Sequence, residues 1–512
     1  MVKIGDKKIS ANDFYKVLIS NLELQLDTEA LKKVYRSHYF LKEFTREKLI
    51  YGINTGFGPM AQYRINHDDQ MKLQYNLIRS HCSGSGNPIP EIDCKAVMLA
   101  RLNTLMQGFA GIHPDALELI KDLINKNISP VIYEHGGLGA SGDLVQLAHL
   151  ALTLIGEGEV YYNGVITSTA EVFKKENIKV MEIHIREGLA LMNGTSAMSG
   201  IGMLNVIYAE NLMNWSVLAS ATIMELVESF DDHYSTPLNE VKHHYGQNAV
   251  ANALQSTLKD SKLVKSREEH HYHQKVEVDV LVEKMQEYYS IRCVPQIVGP
   301  ILDTVNYAKE VLINEINSAN DNPIVDWKRK NVYHGGNFHG DYVALEMDKL
   351  KIAITKLSML AERQLNFLLN NKLNNILPPF VNHGVLGLNL GVQGVQFTAT
   401  STTAENQMLS NPMYVHSIPS NNDNQDIVSM GANAALICKK VILNSYEVLA
   451  IEWMTILQAI DYLKVEDKLS TKSKEAYTKL RAIFPCFVED SIKYKDVKAV
   501  RDYIFYNHIE IL

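Results

Sequence analysis

From Ile354 the apolar positions Ile354, Leu357, Ala361, Leu365 and Leu368 recur at helical spacing and line one face of a long helix. Pro378-Pro379 is expected to stop it. Similar stripes run through Asp69–Arg79, Cys94–Gln107, Ala197–Glu228, Leu302–Asn317 and Ile427–Leu463. Strand signals are few. The best is Glu159–Thr169, where Asn163-Gly164 sits between Val160-Tyr161 and Val165-Ile166 and predicts a short hairpin. There is no repeat at a fixed period and no low-complexity linker. The pattern predicts a mostly α fold of long helices packed side by side.

Length and charge narrow the class without naming a function. A chain of 512 residues sets a prior of roughly three domains. Its 46% hydrophobic and 21% charged residues exclude a disordered or fibrous protein. No apolar run reaches the roughly 18 residues of a membrane span, and Val217–Val227 is broken by Glu225. The N-terminus lacks a signal-type apolar core, so a cytoplasmic protein is expected. Fifty basic against 58 acidic residues are spread along the chain, with no block suited to nucleic acid. Five widely spaced cysteines without a CxxC pair fit neither a disulfide framework nor a zinc ribbon.

Glycine and polar residues gather at Tyr51–Gly58, Ser80–Asn87, His135–Asp143, Asn193–Thr195, Gly335–Gly340 and Ser420–Asp426. In a helical protein such loops sit at helix ends, where function is often placed. Capping and tight turns are the plainer explanation for any one of them. His135–Leu150 reads HGGLGASGDLVQLAHL, a backbone-dense turn entering a helix. A phosphate loop is one reading, but no Lys-Ser/Thr follows and no strand precedes. Ala140-Ser141-Gly142 offers another. If a turn brings the Gly142 nitrogen onto the Ala140 carbonyl carbon, the backbone can cyclise, and glycine hinders that attack least. Loss of water from the ring and from the Ser141 side chain leaves an exocyclic methylidene. That is a carbon electrophile, which no ordinary side chain supplies.

Here the chain resembles the aromatic amino acid ammonia-lyase family, whose self-made group is methylidene-imidazolone (MIO). YGINTGFG at Tyr51, GGLGASGDLVQLAHL at Gly136, LMNGTS at Leu191, YYSIRCVPQ at Tyr288, NSANDNPIVD at Asn317, GGNFHGD at Gly335 and NQDIVSMG at Asn424 look like family blocks in family order. The resemblance implies a long-helix bundle with a smaller MIO-bearing N-terminal portion, here taken as residues 1–200 ahead of a helical bundle over 201–512. It implies MIO from Ala140, Ser141 and Gly142 with no external cofactor and no metal. Tyr51 matches the catalytic tyrosine that takes the β-proton, and Arg292 the arginine that holds the substrate carboxylate. Asn193 and Tyr289 match residues near the electrophile. Gln286, Asn322 and Phe338 match others lining the pocket. It also implies a homotetramer whose active sites borrow residues from neighbouring subunits.

Ser80-His81 occupies the position that sorts substrate rings in this family, where histidine lyases look like Ser-His and many tyrosine lyases like His-Leu. His81 can bond a phenol hydroxyl as readily as an imidazole, and phenylalanine fits worst. Asn424-Gln425-Asp426 pulls towards tyrosine, because histidine lyases typically carry glutamate where Gln425 stands. A carboxylate suits an imidazole and an amide suits a neutral ring. The expected reaction is therefore L-tyrosine to trans-4-coumarate and ammonia. Histidine ammonia-lyase, an aminomutase on the same electrophile and a non-catalytic scaffold are the rivals. His270-His271-Tyr272-His273 and His243-His244 lack the spacing of a helical metal pair and read as solvated segments.

Overall fold

The computed structural model describes residues 1–273, 278–281 and 284–512. The chain forms two units that interleave in sequence. The first comprises 1–207, 308–348 and 412–439; the second comprises 208–307, 349–411 and 440–512. Four of the five boundaries fall inside long helices, Ser196–Leu226, Val294–Ile316, Asp341–Leu369 and Gly431–Leu463, and the fifth, between Asn411 and Pro412, follows helix Gln393–Leu409. Segments 308–348 and 412–439, placed by sequence in the helical portion, thus cluster with the N-terminal residues.

The mostly α expectation holds, with local differences: a short strand, Tyr133–His135, directly precedes the glycine-rich turn where none was expected, and two helix ends shift. The helix through Ile354 ends at Leu369, well before Pro378, because Asn370 leaves the helical path and caps the next short turn through Lys372 N. The last long helix begins at Gly431 and not at Ile427. Met430 adopts a positive φ of 53° and gives its N–H to Leu138 O at 2.9 Å, outside any helix. Among the described residues no helix is long and apolar enough to cross a membrane.

All the named strands belong to the first unit. The hairpin is present as Glu159–Tyr162 paired antiparallel with Val165–Ser168. Asn163 (φ 53°) and Gly164 (φ 76°) form its two-residue turn, where both central positions need positive φ. The other pairs are short: Ser129–Pro130 against the hairpin strand Glu159–Tyr162, Val2–Ile4 parallel to Leu24–Leu26, Ser85–Pro88 against Tyr133–His135, and Ile324–Asp326 against Asn331–Tyr333.

Helix Glu91–Leu105 runs through the core of this unit, buried without interruption from Asp93 to Leu105. Helices Gln70–His81, Leu144–Leu154 and Glu187–Met192 pack on one another. Their ends carry His81, the glycine-rich turn and Asn193. Arg186 and Asp321 form a buried bidentate pair, both contacts at 3.0 Å, and Arg186 also donates to Asn322 O at 2.8 Å. The second unit has a helical core in which Trp215 and Trp453 meet edge to face with centroids 5.7 Å apart.

Removing one partner of a buried ion pair strands the other charge, so Asp321→Ala is expected to cost about 3–5 kcal/mol. A urea titration should show its unfolding midpoint falling clearly below the wild-type value.

Candidate active site

The glycine-rich turn is locked by a backbone crossing. Gly142 (φ 72°) pairs with Gly194 in an isolated bridge, and Asp143 N donates to Gly194 O at 2.8 Å. A Cβ on Gly142 would lie 2.1 Å from Gly194 O. One on Gly194 would lie 2.2 Å from Arg101 Nη1. Neither position tolerates a side chain, by conformation or by space. Ala140 is buried against Val428 and Met430. Gly139 O accepts from Gly340 N at 3.1 Å and from Ser429 Oγ at 3.2 Å, so the turn is held from both sides. The unhindered nitrogen that cyclisation needs is therefore present, on a turn fixed by its neighbours.

Polar side chains converge on Ser141. Asn193 Nδ2 donates to Ser141 O at 3.0 Å, and Gln425 Nε2 to Ser141 Oγ at 2.8 Å. Asn193 Oδ1 accepts from Asn322 N at 2.8 Å, and Asn322 Oδ1 accepts from Gly335 N at 2.8 Å. Asn193, Asn322 and the loop bearing half-buried Phe338 are thus one connected network. Gln425, expected to sort the substrate ring, reaches the Ser141 hydroxyl. It is presented by a turn in which Asn421, Asn422 and Asp423 all have positive φ (55°, 50° and 58°), closed by the Ser420–Gln425 pair. Asn and Asp are the side chains that best tolerate this conformation. Asn424 is exposed on this turn and donates its N–H to Asn421 O at 3.2 Å.

Tyr51 lies in the loop before helix Gln70–His81. Its phenol oxygen accepts from Gly58 N at 3.0 Å, and its ring meets Phe57 edge-on at 6.1 Å. Gln74 ties this loop down, donating to Gly52 O at 2.8 Å and accepting from Leu189 N at 3.0 Å. Gly58 lies against the Asn421 amide, so the Tyr51 loop touches the turn that presents Gln425.

His81 ends its helix with Nδ1 3.0 Å from Leu77 O and 3.0 Å from Ser80 Oγ. A carbonyl only accepts, so Nδ1 carries the hydrogen and Nε2 keeps its lone pair. Burial holds this imidazole below its usual pKa range, which favours the neutral ring.

The remaining expected residues belong to the second unit. Gln286, Tyr289 and Arg292 line one open cleft of about 690 Å³. The Arg292 guanidinium sits over the Tyr289 ring at 4.7 Å and donates to Glu287 O at 2.9 Å. Lys284 and Arg363 join Arg292 on the wall. Glu287, the acidic lining residue, has its pKa raised by burial. The cleft thus favours an anionic group such as a carboxylate.

Sequence reasoning missed the supports. Arg101 is fully buried and donates to Ala190 O and, at 2.9 Å, to Asn193 O. Asp143 is also fully buried; Oδ2 accepts from Met198 N at 2.8 Å while Oδ1 has no partner. Burial raises its pKa to about 7. Its place directly after the triad was the available signal, because an acid entering an apolar helix is rarely buried without a task. Nothing local in the sequence marks Arg101.

This pKa has a stability consequence. The unfolded chain loses the Asp143 proton near 3.8, whereas the fold keeps it to about 7. The stabilisation is complete below the lower value and is lost as pH rises through the upper one. Asp143→Asn keeps the site neutral. Between pH 4 and 8, urea midpoints should fall more steeply for wild type than for the variant, a difference on the order of 4 kcal/mol.

A family model described as aromatic amino acid lyase matches residues 9–482. A tyrosine 2,3-aminomutase of a Myxococcus species (strain Mx-B0) is 38% identical, covering 93% of this chain and 92% of that protein. A histidine ammonia-lyase of Halalkalibacterium halodurans is 36% identical, covering 97% and 94%. The solved tyrosine aminomutase of Streptomyces globisporus superposes with a TM-score of 0.95 at 34% identity, covering 98% and 96%. Enzymes of this family are MIO-dependent and form the group from their own chain, and the turn 140–142 fits that chemistry. By both its matched length and its relatives, the chain belongs to the aromatic amino acid lyase family.

Proposed function

We propose that the protein eliminates ammonia from L-tyrosine to give trans-4-coumarate. The observation that carries this reading is that both residues that sequence assigns to sorting the substrate are uncharged. His81 is kept neutral by burial and Gln425 is an amide. A phenol hydroxyl can donate to the free Nε2 lone pair of His81 and needs no counter-charge, whereas an imidazole that can become cationic is better served by a carboxylate.

MIO, held by the 140–142 turn, would supply an electrophilic carbon for the substrate amine. The chain's own residues do the rest. The guanidinium of Arg292 holds the substrate carboxylate in a two-point contact. The Tyr51 oxygen, positioned by Gly58 N, accepts the β-proton as a phenolate and becomes the phenol. The C–H electrons become the Cα=Cβ bond, and the C–N pair leaves with nitrogen. Asn193 holds the carbonyl of residue 141, whereas the Gln425 bond to Ser141 Oγ belongs to the chain before that hydroxyl leaves as water. In this reading Tyr289 and Arg292 serve the residue 141 centre of another subunit in a homotetramer.

A second reading has support of its own: the Myxococcus and Streptomyces relatives are named tyrosine aminomutases. An aminomutase would return ammonia to Cβ and yield a β-amino acid with little free ammonia.

Steady-state assays on tyrosine, histidine and phenylalanine, with products separated by chromatography, test the proposal. Tyrosine should give the largest kcat/KM, and coumarate and ammonia should accumulate together. A larger value for histidine, or β-tyrosine as main product, overturns it. Gln425→Glu should lower kcat/KM for tyrosine about tenfold and move preference towards histidine.

A further inference from the structure

We propose that His113, Asp115 and His184 form a binding site for a divalent transition-metal ion of the Zn²⁺ type, apart from the residues assigned to the lyase reaction. One ligand atom from each of the three lies within 4.8 Å of the other two. His113 Nδ1 and Asp115 Oδ2 are already 3.4 Å apart, about the separation of two ligands on a tetrahedral ion with bonds near 2.1 Å. The His113 and His184 rings lie 4.3 Å apart and tilted by 34°. Two imidazoles and one carboxylate suit Zn²⁺, Cu²⁺ or Ni²⁺, with water completing the shell.

His113 Nδ1 accepts the Asp115 N–H at 3.3 Å, a helix-capping bond that an ion bound at Nδ1 would displace.

The second observation is the scaffold behind the three side chains. Glu187 is fully buried and accepts four backbone N–H groups. His113 N reaches Oε1 at 3.1 Å, and His184, Ile185 and Arg186 N reach Oε2 at 2.7, 2.8 and 3.2 Å. One carboxylate therefore pins both histidine-bearing segments in a fixed relation before any ion arrives, and such support is what orients metal ligands. Buried His38 closes the inner side. Its Nδ1 is 3.0 Å from Gly111 O, and its ring stands edge-on to His113 and His184 at 5.0 and 6.0 Å. The pinned turn also carries Arg186, which holds Asp321 and the Asn322 carbonyl. An ion here would sit on a turn that anchors an active-site loop.

Calorimetric titration of the full chain with ZnCl₂ tests the proposal, beside His184→Ala, His113→Ala and Asp115→Asn. Cu²⁺ electron paramagnetic resonance reports the ligands directly. One ion per chain should bind, at least tenfold more weakly in each histidine variant, with nitrogen couplings lost in the His113/His184 double variant. Unchanged far-ultraviolet circular dichroism shows that the variants fold. Zinc binding that is the same in the double variant and wild type assigns the ion to other donors and overturns the proposal, as does no binding by wild type.

Discussion

The close crossing of Gly142 and Gly194 is the constraint on which the rest of the site depends. Two backbones approach so nearly that a methyl on Gly142 would overlap the Gly194 carbonyl. This crossing requires glycine on both strands, a positive φ at Gly142 and a buried donor to hold the second strand. Arg101 is that donor, through the carbonyls of Ala190 and Asn193. Asn193 reaches Ser141 only because its own loop is fixed in this way, and Asn322 follows from Asn193. The turn that can cyclise and the side chains around it are consequences of one packing decision.

Burial then sets the charge states. His81 and Asp143 are both held towards their neutral forms by desolvation, one as a base made weaker and the other as an acid made weaker. In the second unit, by contrast, Lys284, Arg292 and Arg363 face an open cleft.

Legibility in the sequence followed the range of the interactions. The hairpin was readable because Asn163-Gly164 states its own turn, and the long helices because their stripes repeat over many turns. The start of the last helix at Gly431 was not, since Met430 is held out of it by Leu138, nearly three hundred residues away. The same applies to the site. Ala140-Ser141-Gly142 carries its chemistry locally, and the family blocks marked Tyr51, Asn193, Asn322 and Arg292. The contact of Gln425 with Ser141 and the supporting roles of Arg101, Asp143 and Glu187 arise from segments brought together only by the fold. The histidines of the proposed metal site, at 113 and 184, show no spacing that a sequence pattern could detect.

The central claim is that this glycine crossing lets the chain build its own electrophile at residue 141. The mass of the proteolytic peptide carrying residues 140–142 tests it most directly. The wild-type peptide should be lighter than its sequence by two waters, and the same peptide from folded Gly142→Ala should keep its full mass. A wild-type peptide at full mass, or a variant as light as wild type, would contradict the account.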